Sequence, residues 1–283
     1  MAMAMAVVRP QIVLLGDSIT EQSFRRGGWG AALADSYSRK ADIVVRGYGG
    51  YNTRWALLLL HHLWPTPLPP PAAVTIFFGA NDAALLGRQS QKQHVPLPEY
   101  KHNLRQIVSH FKQMSPSILV LLIAPPPVDE DGREQYAKSL YGDKARKLPE
   151  RTNEVTGTYA RQCVQLAQEM QIPCIDVWTV MQQTEGWQKL FLRDGLHLTE
   201  EGNAVVHSEV LRALNGAGLA AEEMQLDFPH HSAIDGAHPE KAFQSQGNLT
   251  LSVDLPKLHP IFYYITIRYP LSLVSFFNAF IGP

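Results

Sequence analysis

The chain of 283 residues carries 25 Lys and Arg against 26 Asp and Glu, a formal net charge of -1, with a sequence pI near 6.8. That balance leaves no electrostatic footprint for nucleic acid or an anionic membrane surface, while the length allows one large domain or two small ones with ample core. The two cysteines, Cys163 and Cys174, lie in different predicted elements and offer no disulfide framework, so they read as buried or free thiols of a reducing compartment.

Met1 to Val8 is apolar and repetitive but lacks a basic n-region, and Arg9-Pro10 and an apolar run follow at once. Residues 1–9 are therefore expected to form a disordered leader, not a signal peptide, and the chain to stay in the cytoplasm. Ile12–Leu15 reads as a buried strand that turns sharply in Gly16-Asp17-Ser18-Ile19-Thr20. A helix near Gly28–Arg39 places Trp29, Leu33 and Tyr37 roughly on one face. A second strand, Ile43–Val45, closes in Gly47-Tyr48-Gly49-Gly50, and a helix from about Thr53 to Leu63 ends before the proline-rich Pro65–Pro71. The third strand, Val74–Phe78, closes in Gly79-Ala80-Asn81-Asp82. The Glu99–Met114 stretch has the clearest amphipathic period, with Leu104, Ile107, Val108 and Phe111 at helical spacing.

A fourth strand, Ile118–Ile123, runs into Pro125-Pro126-Pro127, and the polar, glycine-dotted Val128–Pro149 is expected to be a surface loop or lid. A helix over roughly Glu150–Met170, a short fifth strand at Cys174–Val177 and a further helical turn lead to Arg193-Asp194-Gly195-Leu196-His197. Thr199 can then cap a last helix that opens with Glu200 and Glu201. Alternation of nearly continuous apolar strands with helices predicts an α/β three-layer sandwich: a parallel sheet of about five strands with helices on both faces. One folded domain is expected to span 10–217, followed by an arm at 218–247. The apolar tail 248–283 is interrupted by Arg268 and Pro270, which fits a membrane span poorly.

In such sheets ligands bind beyond the carboxyl ends of the strands, at the switch point of the topology. The strongest polar clusters fall there: Ser18 after the first strand, Gly49-Gly50 after the second, Asn81-Asp82 after the third. Ser18 by itself could be a helix cap. As a nucleophile it needs a base, a group to orient that base and donors for an oxyanion. His197 is the best base among 11 histidines, because Asp194 lies three positions ahead with Gly195 to tighten the turn. The N–H groups of Gly50 and Ser18 and the Asn81 amide can serve as the donors. Asp17 is expected to brace the turn. Phe24, Trp29, Tyr48 and Leu57 lie near enough to line an acyl pocket, but each suits core packing better.

Taken in order, Gly-Asp-Ser-Ile, the glycine-rich second block, Gly79-Ala80-Asn81-Asp82 and Asp194-Gly195-Leu196-His197 resemble the four blocks of the SGNH, or GDSL, hydrolase family over about residues 10–215. Within it, the Gly-Ala-Asn-Asp-Ala form of block three looks most like isoamyl acetate-hydrolysing esterases and their plant GDSL relatives. The resemblance implies the flavodoxin-like SGNH fold and hydrolysis of short-chain acyl or acetyl esters. It further implies Ser18 as nucleophile, Asp194 and His197 as the rest of a triad, and Gly50 and Asn81 as oxyanion donors. Block two reads Val45-Arg46-Gly47-Tyr48-Gly49-Gly50 where many members carry Asn-x-Gly-x-Ser-Gly, leaving Gly49 as a rival to Gly50. No cofactor, metal or nucleic-acid partner is expected; the partner is a small-molecule ester. An α/β-hydrolase elbow is disfavoured because Thr20 stands where its second glycine belongs. An acyltransferase using the same triad, or a silent ligand-binding domain, are the alternatives.

Overall fold

The computed structural model describes residues 9–64, 69–145 and 148–244. The expected leader up to Val8 and the apolar tail lie outside the described residues. In chain order the elements are β1 (Gln11–Gly16), α1 (Ser18–Glu21), α2 (Trp29–Ser36), β2 (Asp42–Gly47), α3 (Thr53–Leu63), β3 (Ala73–Phe77), α4 (Leu97–Met114) and β4 (Leu119–Ile123). There follow α5 (Glu130–Tyr141), α6 (Asn153–Met170), β5 (Cys174–Ile175), α7 (Val177–Gln182), α8 (Trp187–Phe191), α9 (Glu200–Gly216) and α10 (Glu240–Gln244).

The strands form one sheet in the order β2-β1-β3-β4-β5, parallel at every pairing. Successive strand side chains point to opposite faces, which splits the core in two. Ile12 and Leu14 of β1 join Trp29, Leu33, Val206 and Val210 beneath α2 and α9. Val13 and Leu15 join Leu60, Leu104, Phe111 and Leu166 beneath α3, α4 and α6. The result is the expected three-layer α/β sandwich. The α4 period is realised as read, with Leu104, Ile107, Val108 and Phe111 all buried. That helix begins slightly earlier, at Leu97, because Pro98 in its first turn gives up an N–H that would have no helical partner anyway.

Most expected elements shift by a few residues at their ends, as β5 does in stopping at Ile175, but two differences from the sequence reading are larger. The stretch expected as a loop contains α5, whose first turn carries Glu130 and Asp131, charges suited to a helix N-terminus. It shows no apolar stripe because it docks through backbone: the Asp129 N–H donates to Gly195 O at 2.9 Å. A Cβ on Gly132 would lie 3.1 Å from Gly195 Cα. The next helix starts at Asn153, since Thr152 caps it by accepting from the Val155 N–H at 3.2 Å. Glu150 and Arg151 are left in the connection. The described part of the C-terminal arm runs back over the end of α2, where the Tyr37 hydroxyl donates to Leu219 O at 2.5 Å and the Arg39 guanidinium to Phe228 O at 2.7 Å.

The chain leaves β1 to form β2 on one side and then β3 on the other, so the crevice of the sheet opens over the ends of β1 and β3. There the Asp17 N–H donates to Phe77 O at 3.3 Å and the Tyr48 N–H to Gly16 O at 2.9 Å. Strand ends carrying Ser18, Gly50 and Asn81 are thereby stitched side by side. The approach of α1 to β2 is so close that a Cβ on Gly47 would sit 2.0 Å from the Glu21 nitrogen.

Candidate active site

At the end of β1 the capping residue is Asp17, not Ser18. The buried Asp17 carboxyl accepts from the Ile19 N–H at 2.9 Å, and Ser18 becomes the first residue of α1 with its hydroxyl free of capping duty. Burial pushes the Asp17 carboxyl up to about 7, partly offset by the hydrogen bond from Ile19. This is the brace the sequence suggested.

The Ser18 Oγ lies 3.0 Å from His197 Nε2. On the far side of the ring, His197 Nδ1 lies 2.7 Å from Asp194 Oδ2. A carboxylate can only accept, so the ring proton sits on Nδ1, and Nε2 is left to accept from the Ser18 hydroxyl. Asp194 is itself held from below: its Oδ1 accepts from the backbone N–H groups of Leu196 at 3.0 Å and His197 at 2.8 Å. The turn closes through Gly195, whose φ of +77° belongs to the left-handed region. Burial alone would raise the Asp194 carboxyl. The hydrogen bonds from His197 and the nearby Arg133 charge outweigh that and hold it well below the usual carboxylate range.

Arg133, from α5, was not singled out in the sequence. Its guanidinium donates to Asp194 O at 3.3 Å and lies 3.6 Å from Asp194 Oδ2. Only the folding of α5 against the Gly195 turn brings it there.

The two N–H groups of the glycine block differ in their hydrogen bonding. The Gly49 N–H is committed to the Glu21 carboxylate at 2.6 Å. The Gly50 N–H has no acceptor among the described residues, and its carbonyl accepts from Gln93 Nε2 at 3.0 Å. Asn81, nearly fully buried, donates one Nδ2 hydrogen to Tyr51 O at 2.9 Å. Its Oδ1 accepts from Arg151 Nη2 at 3.0 Å, which fixes which end of the amide is which. The second Nδ2 hydrogen has no acceptor among the described residues. Asp82 turns away to accept from the Thr53 N–H at 3.0 Å and anchors the start of α3.

Of the four apolar candidates, Trp29 is core: it is fully buried, its ring 6.3 Å from Phe77, its Nε1 donating to Ile19 O at 3.3 Å. Leu57 packs into the core beneath α3 and α4. Tyr48 stacks at 5.4 Å on Tyr51 beside the glycine turn, and Phe24 is exposed. A cavity of about 310 Å³ opens beside His197, lined by Ile19, Gln22, Arg25, Leu198 and Asn203 among others. A larger hollow of about 480 Å³ lies between α5, the 148–150 stretch and Gln89; Arg133 lines it, but neither Ser18 nor His197 does. Among the described residues no group of three or more His, Cys, Asp or Glu side chains is placed to hold a metal ion. No helix among them is long and apolar enough to cross a membrane. Both cysteines are free.

A serine, a histidine and an aspartate in one hydrogen-bonded line at the switch point of a parallel sheet is an arrangement suited to acyl transfer. Residues 12–210 match the family model for GDSL-like lipase/acylhydrolase, and the chain belongs to that family of carboxylic ester hydrolases. It is 63% identical over 240 residues to a GDSL esterase/lipase of Arabidopsis thaliana, covering 84% of this chain and 99% of the relative. It is 39% identical over 246 residues to the human isoamyl acetate-hydrolyzing esterase 1 homolog, covering 86% and 95%. Among solved structures it is similar in fold to a lipase/acylhydrolase from Enterococcus faecalis, with a TM-score of 0.56, 23% identity and coverage of 74% and 96%.

Proposed function

We propose that the protein hydrolyses short-chain carboxylic esters through an acyl-enzyme on Ser18. The observation that carries the reading is the unbroken chain from Ser18 Oγ to His197 Nε2 at 3.0 Å and from Nδ1 to Asp194 Oδ2 at 2.7 Å. Ser18 Oγ attacks the acyl carbon as His197 Nε2 takes its proton, and Asp194 stabilises the imidazolium. The oxyanion is met by the N–H groups of Ser18 and Gly50 and by the spare Nδ2 hydrogen of Asn81. As the carbonyl re-forms, the C–O bond to the alcohol breaks and His197 returns its proton to the leaving oxygen. Water, deprotonated by His197, then attacks the acyl-enzyme, and the carboxylic acid leaves with Ser18 restored.

The cavity of about 310 Å³ beside His197 is not lined by Ser18, Gly50 or Asn81, so the short acyl class rests on the relatives. The isoamyl acetate named in the human relative is an ester of that kind. A panel of p-nitrophenyl esters from acetate to palmitate tests the proposal. The expected result is kcat/KM highest for the shortest chains and lost in Ser18→Ala. Highest kcat/KM on palmitate would overturn the substrate class, and activity surviving in Ser18→Ala would overturn the mechanism.

A further inference from the structure

Arg151 is nearly fully buried, an expensive place for a charge, and it stands outside the line of Ser18, His197 and Asp194. Its donors are spent in a particular direction. Nε donates to Ala80 O at 2.6 Å, and Nη2 donates to Asn81 Oδ1 at 3.0 Å and to Gln93 Oε1 at 2.5 Å. Gln93 in turn donates through Nε2 to Gly50 O at 3.0 Å. One guanidinium therefore grips the side chain of Asn81 directly and the Gly50 turn through a single intermediary. The Glu150 carboxylate, 3.5 Å from Nη1 and only partly buried, is its ion-pair partner among the described residues.

From this network we infer that Arg151 is the positioning residue of the oxyanion hole, holding and polarising the Asn81 amide and, through Gln93, locking the Gly50 turn. The inference rests on the assignment of Asn81 and Gly50 as oxyanion donors. A rigid planar fork suits the task because it holds three acceptors at once, which a lysine ammonium on a flexible stem does less well. A cation on Asn81 Oδ1 draws electron density from the amide and makes the spare Nδ2 hydrogen a stronger donor, as hydrogen bonds in series do in a low dielectric. Since an oxyanion exists only past the ground state, loosening this hub should reduce kcat and leave KM nearly alone.

The test uses the full chain with p-nitrophenyl acetate, comparing the parent with Asn81→Ala, Arg151→Met, the double variant Asn81→Ala/Arg151→Met, and Gln93→Ala. Arg151→Met is expected to lower kcat by about 10–100-fold, below the roughly 10²–10³ lost with an oxyanion donor itself, with KM within about two-fold. In the Asn81→Ala background the same change should cost clearly less than in the parent, because the share that runs through Asn81 is already gone and only the Gly50 route through Gln93 remains. Full kcat in Arg151→Met, a loss borne by KM, or losses that simply multiply in the double variant would each overturn the inference. Should Arg151→Met fail to fold, Gln93→Ala decides: that partly exposed side chain can be cut without disturbing the core. A several-fold fall in kcat at constant KM supports the hub, and an unchanged kcat overturns it. If Asn81→Ala itself keeps full kcat, the oxyanion assignment falls first. If Asn81→Ala is crippled while Arg151→Met is not, only the role of Arg151 is refuted.

Discussion

Replacing Asp194 by Asn probes the hydrogen-bonded line with a change of one atom. Oδ1 of Asp194 accepts from two backbone N–H groups, at 3.0 Å and 2.8 Å, while Oδ2 accepts from His197 Nδ1 at 2.7 Å. An Asn that keeps both backbone bonds must turn its NH₂ toward His197, donor against donor. The imidazole then carries its proton on Nε2, facing Ser18, where an acceptor is needed. Flipping the amide restores the tautomer but leaves two buried N–H groups without an acceptor, at about 1–3 kcal/mol each. The productive orientation thus lies about 2–6 kcal/mol higher, a population of roughly one in thirty or less at 1.36 kcal/mol per decade. Loss of the negative partner of the imidazolium adds to this, and the same exchange in a serine triad lowers kcat by about 10⁴. We expect Asp194→Asn to lose about 10²–10⁴ in kcat on p-nitrophenyl acetate, with little change in KM and an unaltered melting temperature. A folded variant that keeps more than about a tenth of the parental kcat would refute the orientation argument.

The neighbouring Arg133 should matter far less: its contact with Asp194 is 3.6 Å long and partly exposed. At about 0.2–1 kcal/mol for such a pair, Arg133→Ala should cost no more than about five-fold in kcat; a loss as deep as that of Asp194→Asn would show that the two act as one unit. Because Asp194 is held well below the ordinary carboxylate range, it should stay ionised throughout about pH 5–8. An Asp194 carboxyl seen by isotope-edited infrared spectroscopy to protonate within that range would contradict this. Burial raises Asp17 from the usual 3.8 to about 7, so the folded state favours its protonated form, and stability is lost as pH rises between those values. Asp17→Asn keeps an acceptor for Ile19, and its melting temperature should gain on that of the parent from about pH 4 to pH 8. A parent that gains on the variant instead would reverse the sign. In the core, Phe111 is fully buried between α4 and the sheet, and Phe111→Ala should cost about 3–5 kcal/mol in denaturant unfolding; a loss below about 1 kcal/mol would mean the site collapses freely.

Much of this was legible in the sequence because the signals were local. Apolar runs ending in Gly16-Asp17-Ser18 and Gly79-Ala80-Asn81 gave both the strands and the polar ends that meet at the switch point. Asp194 and His197 could be paired because three residues and a glycine suffice to bring them within 2.7 Å. The helix α5 was hidden because it packs by glycine contact and not by an apolar stripe, and Arg133 was hidden with it. Arg151 was obscured by its polar neighbours Glu150 and Thr152. One cue was present: a cation just before a helix N-terminus opposes the helix dipole, and a residue placed against its electrostatic preference is there for a specific contact. The resemblance already pointed to Gly50, and the Glu21 carboxylate on the Gly49 N–H adds a physical reason to propose it.

The central claim is that the Ser18 hydroxyl is the attacking group, and covalent capture tests it most directly. The intact protein is treated with a fluorophosphonate, digested, and the modified peptide sequenced by mass spectrometry. One phosphonyl group per chain, carried by Ser18, is expected, with esterase activity lost in proportion. A folded, ester-hydrolysing protein that is inhibited with Ser18 unmodified, or labelled on another residue, would contradict it.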